Sequence, residues 1–356
     1  MYPDIIALGI PVMIGCVVVE FLHDLRQKVR NFRLNATVSN ISCGILEQAT
    51  GFISKGLFIA LYAWLYEHAR LATIQDAWWV FLLLIVAVDL VFYFFHRFSH
   101  RCSFLWAGHM VHHEVEEFNL TVALRRSVMQ EFTIIWVYLP FALFGFSPGA
   151  FFLVFAAHNL YQFLIHTSYL PEFRTFGLVF NTPHHHEVHH CRNACYIDKN
   201  FAGVFIVWDK LFGTFTAQTE KPVFGVAQLT STLNPVKAQV TTLAAVFAEA
   251  GRRQGWRDKL HALFGPPDYL GVHGQDPVHR PKFDPAIPGP QFGLAITLFL
   301  LLVVGTTLYR NYESAFDLAE KIAVLGGIGG VLFLIGNLLD ARGLLPVLAW
   351  TRRSGG

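Results

Sequence analysis

From residue 78 to residue 95 the sequence is apolar throughout except for one charged residue, Asp89. That length approaches the ~20 helical residues needed to cross a hydrocarbon core of about 30 Å. Lipid offers the backbone no hydrogen bonds, so a crossing segment must satisfy its own, and a helix does so. Residues 5–22, interrupted by Glu20, and 41–66, weakened by Glu47 and Lys55, read as further spans. Residues 132–146 and 150–165, joined by Ser147-Pro148-Gly149, read as a helical hairpin, and 292–308 with 322–339 as a second. Charged residues make up only 15% of the chain, against roughly 25% in an ordinary soluble domain. The expected fold is an all-α, polytopic membrane helix bundle.

Arg26, Lys28, Arg30 and Arg33 follow the first run, and such an excess of basic residues marks the cytoplasmic side. Residues 1–4 hold no basic group and the first run is long, so it reads as a span rather than a cleavable leader, with the N-terminus outside. Alternate crossings then bring the third span into the cytoplasm at His96. The hairpin goes out and returns at His166, and the last one leaves Arg310-Asn311-Tyr312-Glu313 outside and Arg342, Arg352 and Arg353 inside. Twelve of the seventeen histidines lie between His96 and His190, and every cluster follows a segment expected to end on that same side. The economical expectation is one membrane-adjacent site in a His-rich cytoplasmic cap. Three regions follow: a transmembrane domain with the His clusters at 1–240 (core 77–220), a soluble connector at 241–290, and a C-terminal transmembrane hairpin at 291–356. The connector is basic and Pro-rich, with Arg252, Arg253, Arg257, Lys259, Arg280 and Lys282.

His96 and His100 form H-x3-H; His109, His112 and His113 form H-x2-H-H, and His186, His189 and His190 repeat it. On a helix i, i+3 and i+4 share a face, so such a triplet can converge on one point. Neutral imidazole ligates zinc, copper, iron or nickel. Each cluster alone has a plainer reading: an adventitious metal-binding tract, interfacial side chains, or a polar amphipathic patch. Their common side favours a shared site. His166, four residues after Gln162, is expected to join it; His158 and His184 are read as structural. Asp89, a carboxylate inside a span, is functional by default, or accepts an N–H from a ligand histidine. The clustered histidines exceed what one four-coordinate zinc can use, whereas two six-coordinate ions could use them and keep open positions. Soluble di-iron bundles take Glu and Glu-x-x-His ligands; a nitrogen-rich set here argues for iron and leaves zinc open. Cys191 and Cys195 are weak metal candidates without a second pair, and the five cysteines form no paired secretory framework. A formal charge of +2 suggests no nucleic-acid partner.

In this order, between apolar helices, the three motifs resemble the fatty acid hydroxylase/sterol desaturase superfamily of membrane di-iron oxygenases. The flanking residues are most similar to its alkylglycerol monooxygenases: Asn119-Leu120-Thr121, Ala123-Leu124-Arg125, Leu160-Tyr161-Gln162-Phe163, Asn181-Thr182-Pro183, and Trp208-Asp209-Lys210-Leu211-Phe212-Gly213-Thr214. The likeness covers residues 35–220. Glu187 stands where a basic residue is expected and Cys191 where glycine is, which bears on substrate or rate more than on metal binding. The resemblance implies two iron ions, O2 and insertion of one oxygen atom into a lipid C–H bond. In the alkylglycerol branch the hemiacetal product breaks down to an aldehyde. It also implies that His96, His100, His109, His112, His113, His186, His189 and His190 are ligands, with His166 a ninth and His185 orienting the set. Glu116, three residues after His113 on the histidines' face, is expected near the pterin or the substrate. Electrons come from tetrahydrobiopterin in that branch, and from cytochrome b5 or ferredoxin-like donors elsewhere. No C-x-x-C-H, ferredoxin cysteine motif or G-x-G-x-x-G is present, so the donor is external.

Three alternatives stand beside this reading. One is a sterol or fatty-acyl hydroxylase or desaturase of the same superfamily. A membrane metal-binding or transport protein would need polar residues along its spans, where only Glu20, Glu47, Lys55 and Asp89 are found. A bis-histidine haem protein would need paired histidines within spans rather than at their ends.

Overall fold

A computed structural model describes residues 5–28, 31–226, 232–270 and 281–342; Arg30, Arg280, Arg352 and Arg353 lie outside the described residues. In chain order the α-helices are α1 (Ile5–Gln27), α2 (Leu34–Ala69), α3 (Trp78–Arg101), α4 (Ser103–His113), α5 (Val128–Tyr138), α6 (Pro140–Phe144), α7 (Pro148–Leu164), α8 (Pro183–His189), α9 (Val207–Leu211), α10 (Pro235–Arg252), α11 (Trp256–Phe264), α12 (Gly289–Tyr312) and α13 (Leu318–Leu339). Among the described residues the one departure from helix and loop is an isolated antiparallel bridge between Cys191 and Phe224.

Among the described residues three helical stretches are long and apolar enough to cross a membrane: Trp78–Arg101, Gly289–Ala315 and Leu318–Leu339. A fourth is α2, if its halves, bent by 46° between Leu34–Gly51 and Ile53–Ala69, form one span. The hairpin expected over residues 132–165 forms, but its arms are short. Val128–Phe144 is broken ahead of Pro140, and α7 has 17 residues, below the ~20 of a full crossing. Proline supplies neither the N–H nor the space that a continuing helix needs. At the hairpin tip Gly145 has φ 96°, and a Cβ there would lie 2.0 Å from the Ala72 carbonyl oxygen, so only glycine fits.

That close approach orders the bundle. Leu71 N donates to Leu143 O at 2.7 Å, Ile74 N to Gly145 O at 3.1 Å, and Tyr62 OH to Phe146 O at 3.1 Å. The α2–α3 connection and the hairpin tip therefore share one end. Between the ends, α2, α3, α5 and α7 bury an aromatic-rich core including Phe58, Tyr62, Leu84, Tyr138 and Phe151. In the last hairpin, Gln291 Nε2 donates to Leu338 O at 2.8 Å. Asn234 Nδ2 and Lys237 Nζ reach Asn337 Oδ1 at 3.1 and 2.7 Å, tying this end of α12 and α13 to α10.

The expected boundary at 240 falls inside α10. This helix packs on the histidine-bearing α4: Ala238 shares a buried cluster with Cys43 and Val111, and Thr242 Oγ1 lies 3.2 Å from Met110 Sδ. Gln239 accepts from Val128 N at 3.0 Å and donates to Arg126 O at 3.1 Å. Residues 235–252 are thus part of the cap that carries the histidines.

Candidate metal centre

The last two turns of α3 present His96 and His100, and after an extended Cys102 the chain turns into α4 with His109, His112 and His113. His166 follows the end of α7. Thr182 caps α8, Pro183 opens it, and His186 and His189 lie within its roughly two turns, with His190 at its C-cap. These nine histidines meet in two groups: His96, His100, His109, His113 and His189 in one, His112, His166, His186 and His190 in the other. Within each group one ring nitrogen per residue lies within 4.8 Å of all the others. The expectation that each H-x2-H-H converges on one point is therefore corrected. The i, i+4 pairs share a group, while the i+3 member, His112 or His189, leans into the other. On a helix i+3 is rotated about 60° from i and 100° from i+4, enough for two adjoining centres to divide one triplet.

The outer ring nitrogens are pinned. Nδ1 of His96 faces Phe201 O at 2.7 Å, His112 Arg125 O at 3.3 Å, His166 Gln162 O at 2.6 Å, and His189 Lys199 O at 2.9 Å. A carbonyl only accepts, so the proton of a neutral ring sits on Nδ1 and Nε2 carries the lone pair. Those Nε2 atoms point at one another: His96–His109 2.9 Å, His109–His113 3.0 Å, His112–His166 3.1 Å, His166–His186 3.0 Å and His186–His190 3.2 Å. Nε2 of His100 and of His189 is buried without a hydrogen-bond partner. Protonation could relieve the repulsion between lone pairs, but burial opposes it. Desolvation pushes His109 and His166 down to about 4 and His189 to about 3, and His112, His113, His186 and His190 well below the usual range. A cation between the nitrogens would relieve the repulsion, and the two groups could each hold one. Neighbouring donors at a metal–nitrogen distance of about 2.1 Å stand about 3 Å apart, so the residues fit a metal pair.

Two supporting residues, Gln130 and Phe118, escaped the sequence reading, and Asp89 and Asp209 take roles it did not give them. Gln130 Oε1 lies 3.1 Å from His109 Nδ1, although nothing in its place at the start of α5 marks it. Asp89 does not meet a ligand histidine, contrary to one expectation. It accepts from His158 Nε2 at 2.8 Å, Val204 N at 2.7 Å, Phe205 N at 2.8 Å and Trp208 Nε1 at 2.9 Å. Asp209 accepts from Phe201 N and Ala202 N, both at 2.8 Å. Together they fix the loop whose Phe201 carbonyl receives His96. Phe118 packs against His166 and His190.

Other expectations shift. His185 forms the capping box of α8 with Thr182, and neither it nor His184 joins a metal group among the described residues. Gln162 meets His166 through its backbone, while its side chain lies 2.8 Å from His158 Nδ1. Cys191 Sγ faces Glu187 O at 2.9 Å, Cys195 is exposed, and neither joins a metal group among the described residues. Burial raises the Glu187 carboxyl above its ordinary range. Because α4 ends at His113, Glu116 leaves the histidines' helical face. It lines a cavity behind α4 with Arg33, Asn40, Glu114, Arg125 and Phe283, and its Oε2 accepts from Phe283 N at 2.7 Å. Glu114, Glu116 and Glu117 are all buried, so this is not a solvated acidic loop.

Known proteins resemble this chain along most of its length. A family model described as Fatty acid hydroxylase matches residues 81–214. An alkylglycerol monooxygenase from Homo sapiens is 35% identical over 354 residues, covering 96% of this chain and 79% of its own. One from Danio rerio is 30% identical over 357 residues, with 96% and 78% covered. An ornithine lipid hydroxylase from Rhizobium tropici is 26% identical over 171 residues, about half of each chain (48% and 51%). No solved structure matches the chain significantly. The likeness extends beyond the expected 35–220, into the last hairpin.

Proposed function

The chain belongs to the alkylglycerol monooxygenase family of fatty acid hydroxylase-like lipid monooxygenases, and from that premise we propose that it is an O2-dependent di-iron enzyme acting on alkylglycerol-type ether lipids. The observation that carries this reading is the convergence of nine imidazoles, eight of them buried and His112 half-buried, in groups of five and four. The first group would hold one iron through His96, His100, His109, His113 and His189, and the second the other through His112, His166, His186 and His190. Two irons held there would supply the redox capacity that O2 chemistry needs.

The protein's part is to hold nine neutral donors without competing protons, to keep Nδ1–H groups on fixed carbonyls, and to exclude water with a dry apolar wall. Phe118, Phe201 and Trp106, against the rings of His166, His189 and His100, supply that wall on the cap side. The chain carries no redox motif of its own, so an external donor delivers electrons, tetrahydrobiopterin by analogy with the family. We place such a donor near the cavity behind α4, which Glu114, Glu116 and Arg125 line and where the Arg125 carbonyl faces His112. All three histidine motifs face the cytoplasm in this reading, by the basic residues after the first span.

Purified in detergent, the protein should carry about two irons per chain, show no haem band, and convert 1-O-alkylglycerol to an aldehyde only with O2 and tetrahydrobiopterin. Iron-loaded protein that leaves alkylglycerols untouched would overturn the ether-lipid reading. Acyl-chain hydroxylation is the second reading, favoured by the likeness to the ornithine lipid hydroxylase; a hydroxylated lipid in place of an aldehyde would establish it.

A further inference from the structure

Directly beneath the histidine cluster, on its bundle side, the chain places charges among apolar helices. Arg125 turns toward Val111 and Ser39 in the cap, with its Nε 2.8 Å from Val111 O and its Nη1 2.8 Å from Ser39 Oγ. Arg126 turns the other way: its Nη2 lies 3.3 Å from Glu131 Oε1 in the first turn of α5 and 3.3 Å from Asn159 Oδ1 in α7. Each charge is one residue from a group touching a cluster histidine, since Arg125 O receives His112 and Gln130 receives His109. From α2 the fully buried Glu47 lies within electrostatic reach of both Arg126 and Glu131 and pairs with Lys55 at 3.0 Å. Room for that pairing comes from Gly51, where a Cβ would stand 3.1 Å from Lys55 Nζ.

These charges are not sealed off. The side chains of Arg126 and Lys55 remain 39% and 40% accessible, and that of Glu131 14%. Charges inside a membrane bundle face its interior or a polar cavity rather than lipid, so this surface calls for a polar occupant. The two 3.3 Å contacts are loose and leave most of the five guanidinium N–H groups of Arg126 unused. We propose that Arg126, Glu131 and Asn159 bind the vicinal hydroxyls of a glycerol monoether headgroup. The proposal rests on the ether-lipid reading above and adds where the substrate is held. In such a lipid the carbon to be oxidised is bonded to the ether oxygen, so the hydroxyls lie only a few bonds away. The headgroup must therefore be recognised beside the histidine cluster, not at a distant surface. A carboxylate accepts from the hydroxyls while a guanidinium and an amide can donate to them, a match that a bare hydrocarbon chain cannot use.

The test compares binding of 1-O-hexadecylglycerol and hexadecyl ethyl ether, which has no hydroxyl, to the full-length protein in detergent micelles. The wild type should prefer the diol by about 10- to 100-fold, as expected for hydrogen bonds to charged groups. Glu131→Gln and Asn159→Leu should each collapse that preference at unchanged metal content and melting temperature; if one variant does not fold, the other decides. A wild-type protein without the preference, or a preference surviving in a folded variant, would overturn the proposal and leave a crevice holding water only. Turnover is scored separately. A diol preference without oxidation of the alkylglycerol would sink the ether-lipid reading, whereas oxidation without the preference would sink the headgroup site alone.

Discussion

At the scale of single residues, the division of each H-x2-H-H triplet between two groups gives the histidines unequal weight. His109 is one of five donors and His112 one of four, so removing His112 leaves its group with three nitrogens. We expect His112→Ala to bring bound iron toward about one per chain, and His109→Ala to retain more metal but lose turnover. His184→Ala, outside both groups, should keep both metals. Metal analysis of the three purified variants checks this, and equal metal loss in all of them would remove the two-group assignment. The tuning is local: burial keeps His109, His166 and His189 neutral at pH 7, and the carbonyls opposite Nδ1 orient the rings, as outer partners of metal ligands generally do.

Among elements, α13 approaches α10 closely at Gly336. A Cβ on Gly336 would stand 2.4 Å from Asn234 Cα and 2.4 Å from its Cγ. Asn234 also caps α10, accepting from Val236 N and Lys237 N at 3.1 Å each, so it cannot give way cheaply. Gly336→Ala should destabilise the protein by about 1–3 kcal/mol, the usual cost of forced overpacking, read as a lower unfolding midpoint in detergent. Because α10 lies against α4, the same variant should release iron more readily. An unchanged midpoint would show that α13 shifts freely over α10. Asp89 works at the same scale: four donors from α7 and the 204–208 stretch meet on one carboxylate, turning a charge inside a span into the pin that holds a cap loop to α3.

Across the whole molecule the two ends differ in chemistry. One end gathers the histidine motifs, α10 and the free thiol of Cys195; the other exposes Gln75 beside the α2–α3 connection and Asn311 at the end of α12. In a membrane the ends should be labelled from opposite sides. An impermeant maleimide added to the cytoplasmic face should modify native Cys195, and one added to the outer face Gln75→Cys and Asn311→Cys in a Cys195→Ser background. Labelling of Gln75→Cys and Cys195 from one face would break the shared-side arrangement.

The helical fold, the apolar runs and the nine clustered histidines were legible in the sequence, because lipid burial demands long apolar stretches and a metal-binding helix face repeats at i and i+4. That the separate clusters meet was legible as well, although the count of crossings was not: the 132–165 hairpin, read as two spans, has arms shorter than a full crossing. What only the tertiary structure decided depends on contacts between segments far apart in the chain. It divides each triplet between two groups, which follows from where α3 and α4 meet α8. It makes α10 part of the cap, although its sequence reads as the start of a soluble connector. It sends the adjacent Arg125 and Arg126 to opposite sides of the cluster, and carries Glu116 off the helical face because α4 stops at His113. Periodicity reports which face of a helix is apolar; it carries no information on which distant carbonyl, carboxylate or glycine will stand opposite that face.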